Sequence, residues 1–237
     1  MKNAFNLILI SLIAVAIAFS QDSFLNVTVA LEGTVYNQVT KLPETCNIMV
    51  TDKDDKRVTA TRSMGHDGSY YLSGLKPGVS YKVTLKKKNF LEESIQVDVP
   101  KTARYYELSH DFLIKPKKKG TKIPISVPPF ELHKPEIRYG AEYFLSNWAN
   151  VMKNNPNVKF KIISYPDSDS DPRKNKEYTT ERAKNLQKYF ATKGIDIARI
   201  QIQGNEKTDP MNQPPKELRA KGKRYIGTTY IEITSAN

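Results

Sequence analysis

Asp167 precedes Arg182 by fifteen positions in the stretch Ser164 to Ala183, SYPDSDSDPRKNKEYTTERA. An aspartate accepts hydrogen bonds from an ammonium group and a guanidinium grips a carboxylate. Together they suit a ligand with both charges on one carbon, such as the free end of an amino acid. That chemistry requires both side chains to face one space. Val158, Phe160 and Ile162 alternate with Lys159 and Lys161, which predicts a strand ending just before Asp167. Thr179 reads as the N-cap of a helix over about 180–193 that buries Ala183, Leu186 and Phe190 and stops at Gly194. Arg182 then falls in the first turn, where free backbone N–H groups and the helix dipole favour an anion. Taken alone, an Asp and an Arg at this spacing are usually a solvated loop carboxylate and a helix-surface charge.

The surrounding segments supply the scaffold. Ile123 to Val127 reads as a strand, and an amphipathic helix starting near Pro135 carries Ile137, Ala141, Phe144, Leu145, Trp148, Val151 and Met152 on one face. Asn154-Asn155-Pro156 ends it. Strands follow at 199–203 and 225–234, with a short helix over 215–221. The order β-α-β-α-β-β predicts an α/β sandwich with helices packed on a small mixed sheet.

At these residues the chain resembles the OmpA-like C-terminal domain, the peptidoglycan-binding module also found in peptidoglycan-associated lipoproteins and flagellar stator proteins. The family pattern is roughly TD, three residues to a Gly, then N, LS and RA. It falls without a gap on Pro166-Asp167, Ser170, Asn175, Tyr178-Thr179 and Arg182-Ala183. The likeness extends from about Pro128 to Ile233, closing on RAKGKRYIGTTYIEI. It implies that Asp167 and Arg182 hold the amino and carboxylate groups of diaminopimelate in the peptidoglycan stem peptide. It further implies that Asn175 supports the binding loop and that Arg224 takes the place of the second arginine of the family's NRR motif. The chain departs from the pattern at Pro166, Ser170, Tyr178 and Gly222, and in the reduced Gly204-Asn205-Glu206-Lys207. Pro166 removes a backbone donor, and Ser170 takes positive φ less readily than glycine, so the loop geometry is expected to differ.

From 25 to 116 the pattern changes to short alternating segments, at 33–36, 47–52, 69–75, 81–85 and 94–99. Asp67-Gly68 and Pro77-Gly78 are turn dipeptides between them. Strands at this spacing predict an all-β sandwich. GHDGSYYLSGLKPGVSYKVTL, residues 65–85, resembles the signature of carboxypeptidase-regulatory-like, transthyretin-type domains, and Gly33-Thr34-Val35-Tyr36 resembles their opening. The resemblance implies an accessory module without peptidase activity. Tyr70, Tyr71, Tyr81, Tyr105 and Tyr106 read either as a sugar-stacking face or as sandwich packing. Lys115 to Lys122 reads as a basic, exposed and fairly extended linker to a second domain over 123–237.

Residues 1–20 read as a secretory signal, with Lys2, the apolar run Leu7 to Ala18, and a cleavage site at Ala18-Phe19-Ser20. An uncleaved anchor is the alternative. The whole chain carries +12 at pH 7, and losing Lys2 with the leader leaves +11, spread over both halves. Cys46 is the only cysteine, so an internal disulfide is excluded. His66, His110 and His133 lack partners at metal-ligand spacing, and neither a metal nor a cofactor is assigned.

The resemblance implies a non-catalytic periplasmic protein, associated with the cell wall or outer membrane. It would bind peptidoglycan and present its sandwich to an outer-membrane or other envelope protein. The pairing of domains resembles Bacteroidota envelope proteins. A structural adaptor whose second domain makes only protein contacts is the alternative. A hydrolase would need a carboxylate pair or metal site at spacings the sequence lacks, and nucleic acid is not an expected partner of an exported chain.

Overall fold

The computed structural model describes residues 27–215 and 225–236. The leader with its cleavage site, most of the short helix expected at 215–221, and Arg224 lie outside the described residues.

In the first half, alternation builds eight strands: β1 (Val29–Asn37), β2 (Asn47–Thr51), β3 (Arg57–Arg62), β4 (Ser69–Leu75), β5 (Ser80–Lys86), β6 (Glu93–Asp98), β7 (Tyr106–Ser109) and β8 (Phe112–Ile114). One sheet runs β4-β1-β7 with β8 also on β1, and the other runs β3-β2-β5-β6. Val29, Leu31, Val35 and Leu72 from the first sheet meet Ile48, Val50, Val83 and Leu85 from the second in one buried core. Two sheets sharing a core are a sandwich. Tyr70 and Tyr81 pack into it, whereas Tyr71, Tyr105 and Tyr106 are exposed. β3, β7 and β8 were not anticipated. β3 and β7 bury none of their residues fully, and β8, although it buries Phe112 and Ile114, is only three residues long.

The second half contains β9 (Lys122–Pro124), α1 (Glu142–Asn154), β10 (Val158–Ser164), α2 (Pro172–Thr192), β11 (Ile200–Gly204) and β12 (Thr229–Ala236). The sheet order is β11-β10-β12-β9. β10 is parallel to β11 and antiparallel to β12. Leu145, Trp148 and Met152 of α1 and Ala183, Leu186 and Phe190 of α2 share a core with Phe160, Ile162, Ile231 and Ile233 of the sheet. Among the described residues no helix is long and apolar enough to cross a membrane.

Two helix starts differ from expectation. α1 begins at Glu142, not near Pro135, because Gly140 takes φ +80° and the preceding backbone is engaged elsewhere. Arg138 N donates to Pro129 O at 2.8 Å, and Phe130 bridges Ile137. α2 begins at Pro172, not at Thr180. Asp171 caps it by accepting from Lys174 N, and Pro172 sits in the first turn where a missing N–H costs nothing.

The basic segment is held at both ends, whereas an exposed and extended run was expected. Lys115 pairs with the buried Glu93 and lies 5.2 Å over the Trp148 ring. Lys117 N donates to Asn89 O and Gly120 N to Ile233 O, both at 2.7 Å. Only Lys118, Lys119, Gly120 and Lys122 remain exposed. Lysine stems lie along apolar surface when the head group finds a partner, which is how this run docks. The seam extends further. Leu91, from the β5–β6 connection, is buried in the core of the second half. Asn155 donates to Glu92 O at 2.9 Å and accepts from Glu92 N at 3.1 Å.

Candidate functional site

β10 carries Phe160 and Ile162 into the core, ends at Ser164, and delivers Asp167 two residues beyond Tyr165. α2 turns Asn175, Thr179, Arg182, Ala183, Leu186 and Phe190 inward, a helical stripe in which one member is an arginine. Thr179 therefore lies inside the helix, and Arg182 sits about three turns from its start. The anion-favouring first turn is not where the arginine is found.

Asp167 and Arg182 meet directly. Nη1 donates to Oδ1 and Nη2 to Oδ2, each at 2.9 Å, and both side chains are 0% exposed. This is the planar fork that guanidinium and carboxylate favour. Arg182 Nε donates to Lys134 O at 2.9 Å, and Nη2 also donates to Glu131 O at 2.8 Å. Phe130 and Tyr178 lie with ring centroids 5.1 and 4.8 Å from the guanidinium carbon. The cation is thus enclosed by one carboxylate, two carbonyls and two aromatic rings.

Asp167 is equally engaged. His133 N donates to Oδ2 at 2.6 Å and Gly227 N to Oδ1 at 2.7 Å, so each oxygen accepts two N–H groups. Its own N–H donates to the Tyr178 hydroxyl at 2.7 Å. Burial pushes the carboxyl up, but hydrogen bonds from Arg182, His133 and Gly227 and the Arg182 charge outweigh it, holding Asp167 below the usual carboxylate range. Burial also raises the Tyr178 hydroxyl, which stays neutral.

Residues 131–134 form a strap across the pair. All three hydrogen bonds from the strap come from its backbone: two carbonyls facing the guanidinium and one N–H facing the carboxylate. His133 adopts φ +56° to aim that N–H, with Nδ1 3.6 Å from Asp167 Oδ2. Asn185 of α2 holds the strap's far end by donating to Pro135 O at 2.9 Å. Beside the strap a cavity of about 820 Å³ is lined by Phe130, Leu132, Arg138, Tyr139 and Ile226.

Asn175 does not touch Asp167. Its Nδ2 donates to Ser168 O at 2.7 Å and to Glu206 O at 2.8 Å, tying the loop after β10 to the one after β11. Arg224 lies outside the described residues. Sequence reasoning missed Gly227, whose N–H completes the Asp167 shell. A Cβ there would collide with the carbonyls of Tyr165 and Pro166, so only glycine lets the chain approach. It also missed Phe130 and the strap carbonyls. Backbone groups leave no trace in side-chain spacing, though Tyr178 was visible as a departure from the resembled pattern. Among the described residues no three His, Cys, Asp or Glu side chains gather where they could hold a metal.

No curated protein matches the sequence. Similar solved structures include the Bacillus anthracis TIE protein, at 14% identity and TM-score 0.32, covering 38% of this chain and 18% of that one. The periplasmic domain of Helicobacter pylori MotB is similar at 12% identity and TM-score 0.40, over 66% of this chain and 83% of that one. The peptidoglycan-associated lipoprotein from Burkholderia pseudomallei is similar at 14% identity and TM-score 0.36, over 44% and 86%. Residues 130–224 match the OmpA family, a span that opens on Phe130 beside the caged guanidinium and contains both members of the pair, and this part of the chain is an OmpA family domain.

Proposed function

We propose that the chain is a non-catalytic envelope protein whose OmpA family domain binds peptidoglycan, taking the diaminopimelate of a stem peptide at Asp167 and Arg182. One observation supports this most. The strap offers carbonyl oxygens to the guanidinium and an N–H to the carboxylate. The carboxylate and ammonium of an amino-acid end offer the same acceptor and donor with full charges, which adds a direct ion-pair attraction to the charge-assisted hydrogen bonds they replace. Binding replaces strap backbone with ligand. On this reading the protein acts in the periplasm, associated with the cell wall or outer membrane. Its N-terminal sandwich, read as a carboxypeptidase-regulatory-like accessory module, faces an envelope partner.

The test is co-sedimentation with isolated sacculi, followed by hydrogen exchange with a diaminopimelate-containing muropeptide. The expected result is pelleting, together with faster exchange at the His133 amide as the ligand releases it, while the Gly227 amide stays protected. Absence of binding overturns the reading.

A second reading draws on the saturation of the pair. Each Asp167 oxygen already accepts two N–H groups, and Arg182 is enclosed. If the strap never opens, the pair is a structural pin and the domain is an adaptor that makes protein contacts only. The same exchange experiment separates the two, because a pin leaves His133 protected at any muropeptide concentration.

A further inference from the structure

Two lysine runs far apart in sequence are brought together at the seam between the halves. Lys86 closes β5 with Lys87 and Lys88 just beyond it, and Lys115-Pro116-Lys117-Lys118-Lys119 follows β8. Backbone bonds lay them side by side: Leu91 N to Lys115 O at 2.8 Å, Lys117 N to Asn89 O at 2.7 Å, and a bridge between Phe90 and Pro116. Three of these lysines are already matched. Lys86 lies 2.8 Å from Glu92, Lys87 pairs with Glu44, and Lys115 pairs with Glu93. Among the described residues Lys88, Lys117, Lys118 and Lys119 have no carboxylate within ion-pair distance, and all but the half-buried Lys117 are exposed.

A cleft of about 360 Å³ opens between the runs, lined by Lys86, Lys87, Lys88 and Lys117, with Glu92 the one acidic group in its wall. Its only aromatic ring, Phe90, is half-buried and lies under the Lys87 ammonium at 5.0 Å. No ring is therefore free for base stacking of the kind that single-stranded nucleic acid needs. The unmatched charges sit on two surface turns tied to one another, so they stay clustered without further ordering. Like charges held this close repel, and an external layer of anions relieves that repulsion.

We propose that this seam is a docking surface for phosphate-bearing anionic lipid headgroups. With no exposed apolar side chain in the cluster to insert, attachment is peripheral and electrostatic. It is independent of Asp167 and Arg182.

The test is sedimentation of protein purified from the soluble fraction with phosphatidylglycerol–phosphatidylcholine vesicles, with pure phosphatidylcholine as reference. The expected result is binding to the anionic vesicles only, abolished by 0.5 M salt. Each unmatched lysine contributes about fivefold, so Lys88→Gln/Lys118→Gln/Lys119→Gln should weaken binding about a hundredfold with an unchanged circular dichroism spectrum. A control triple, Lys53→Gln/Lys56→Gln/Lys188→Gln, removes the same charge from exposed positions elsewhere and should weaken it far less. Equal losses in the two triples, failure to bind anionic vesicles, or binding to soluble polyphosphate without binding to vesicles would each overturn the proposal.

Discussion

Gly227 N donates at 2.7 Å to the same Asp167 oxygen that receives Arg182 Nη1, so the approach to β12 is fixed to the exit of β10 through one carboxylate. Gly227→Ala places a methyl group against the carbonyls of Tyr165 and Pro166. The neighbours are backbone and cannot rotate away. The variant is expected to lose about 3 kcal/mol of stability, read from the urea midpoint at unchanged slope.

Removing one member of the buried pair leaves the other uncompensated. Arg182→Ala and Asp167→Ala are each expected to cost about 3–5 kcal/mol. Replacing both members of a buried pair by apolar residues is often nearly neutral, but here Glu131 O, Lys134 O, His133 N and Gly227 N would also lose partners. Arg182→Met/Asp167→Leu should therefore be no more stable than either single variant, which thermal melts of the three proteins check.

Acid sensitivity follows from the direction of the Asp167 shift. Its folded-state pKa is depressed, so its contribution is fully present above the ordinary aspartate value of about 4 and is lost as pH falls through the lower folded value. Urea midpoints between pH 6 and pH 2 should fall in the wild type. Asp167→Asn should start lower and fall less over the same window.

Burial pushes the Cys46 thiol up to about 11. At pH 8 it is expected to resist a thiol-reactive dye in the native protein and to react at once in 6 M guanidinium. Rapid labelling of the native state would show that the sandwich opens locally at β2.

Trypsin is expected to cut first after Lys118 or Lys119, which are exposed, and to spare Lys117, which is half-buried with its N–H bonded to Asn89 O. The two fragments should co-elute in size-exclusion chromatography, because the seam survives the cut. Separate elution would mean that Leu91 and Asn155 contribute little to holding the halves together.

Much of this was legible in side-chain order. The alternation Val158, Phe160, Ile162 marks β10, and Ala183, Leu186 and Phe190 mark α2, so the order of elements in the second half follows from sequence, whereas the direct pairing of Asp167 with Arg182 does not, since the two were read as facing a ligand and not each other. The start of α2 was misread because Thr179 is a good cap by type. In the folded chain its hydroxyl caps nothing and lies 2.7 Å from Asn175 O and 2.9 Å from Asn205 O, to either of which its one hydrogen can be donated, while Asp171-Pro172 supplies the stronger signal earlier. The strap was invisible because its chemistry is all backbone, and Pro135 looked like a helix start only while the positive φ of Gly140 was unknown. The seam was missed because charge composition describes Lys115 as solvent-seeking, whereas Glu93 and Trp148 give it a place to dock.

Leu91 has a consequence for anyone moving this domain between proteins. The OmpA family match begins at Phe130, yet a side chain that seals the hydrophobic core of that half comes from a hairpin synthesised well before it. A fragment cut at the family boundary would lose the edge strand β9 with Ile123, and even one begun at Lys122 would carry an open, methyl-lined hole where Leu91 had been, comparable to a large-to-small core mutation of about 2–5 kcal/mol. The portable unit is therefore larger than the recognised one, and a chimera made at residue 130 would inherit a defect that its own sequence does not reveal.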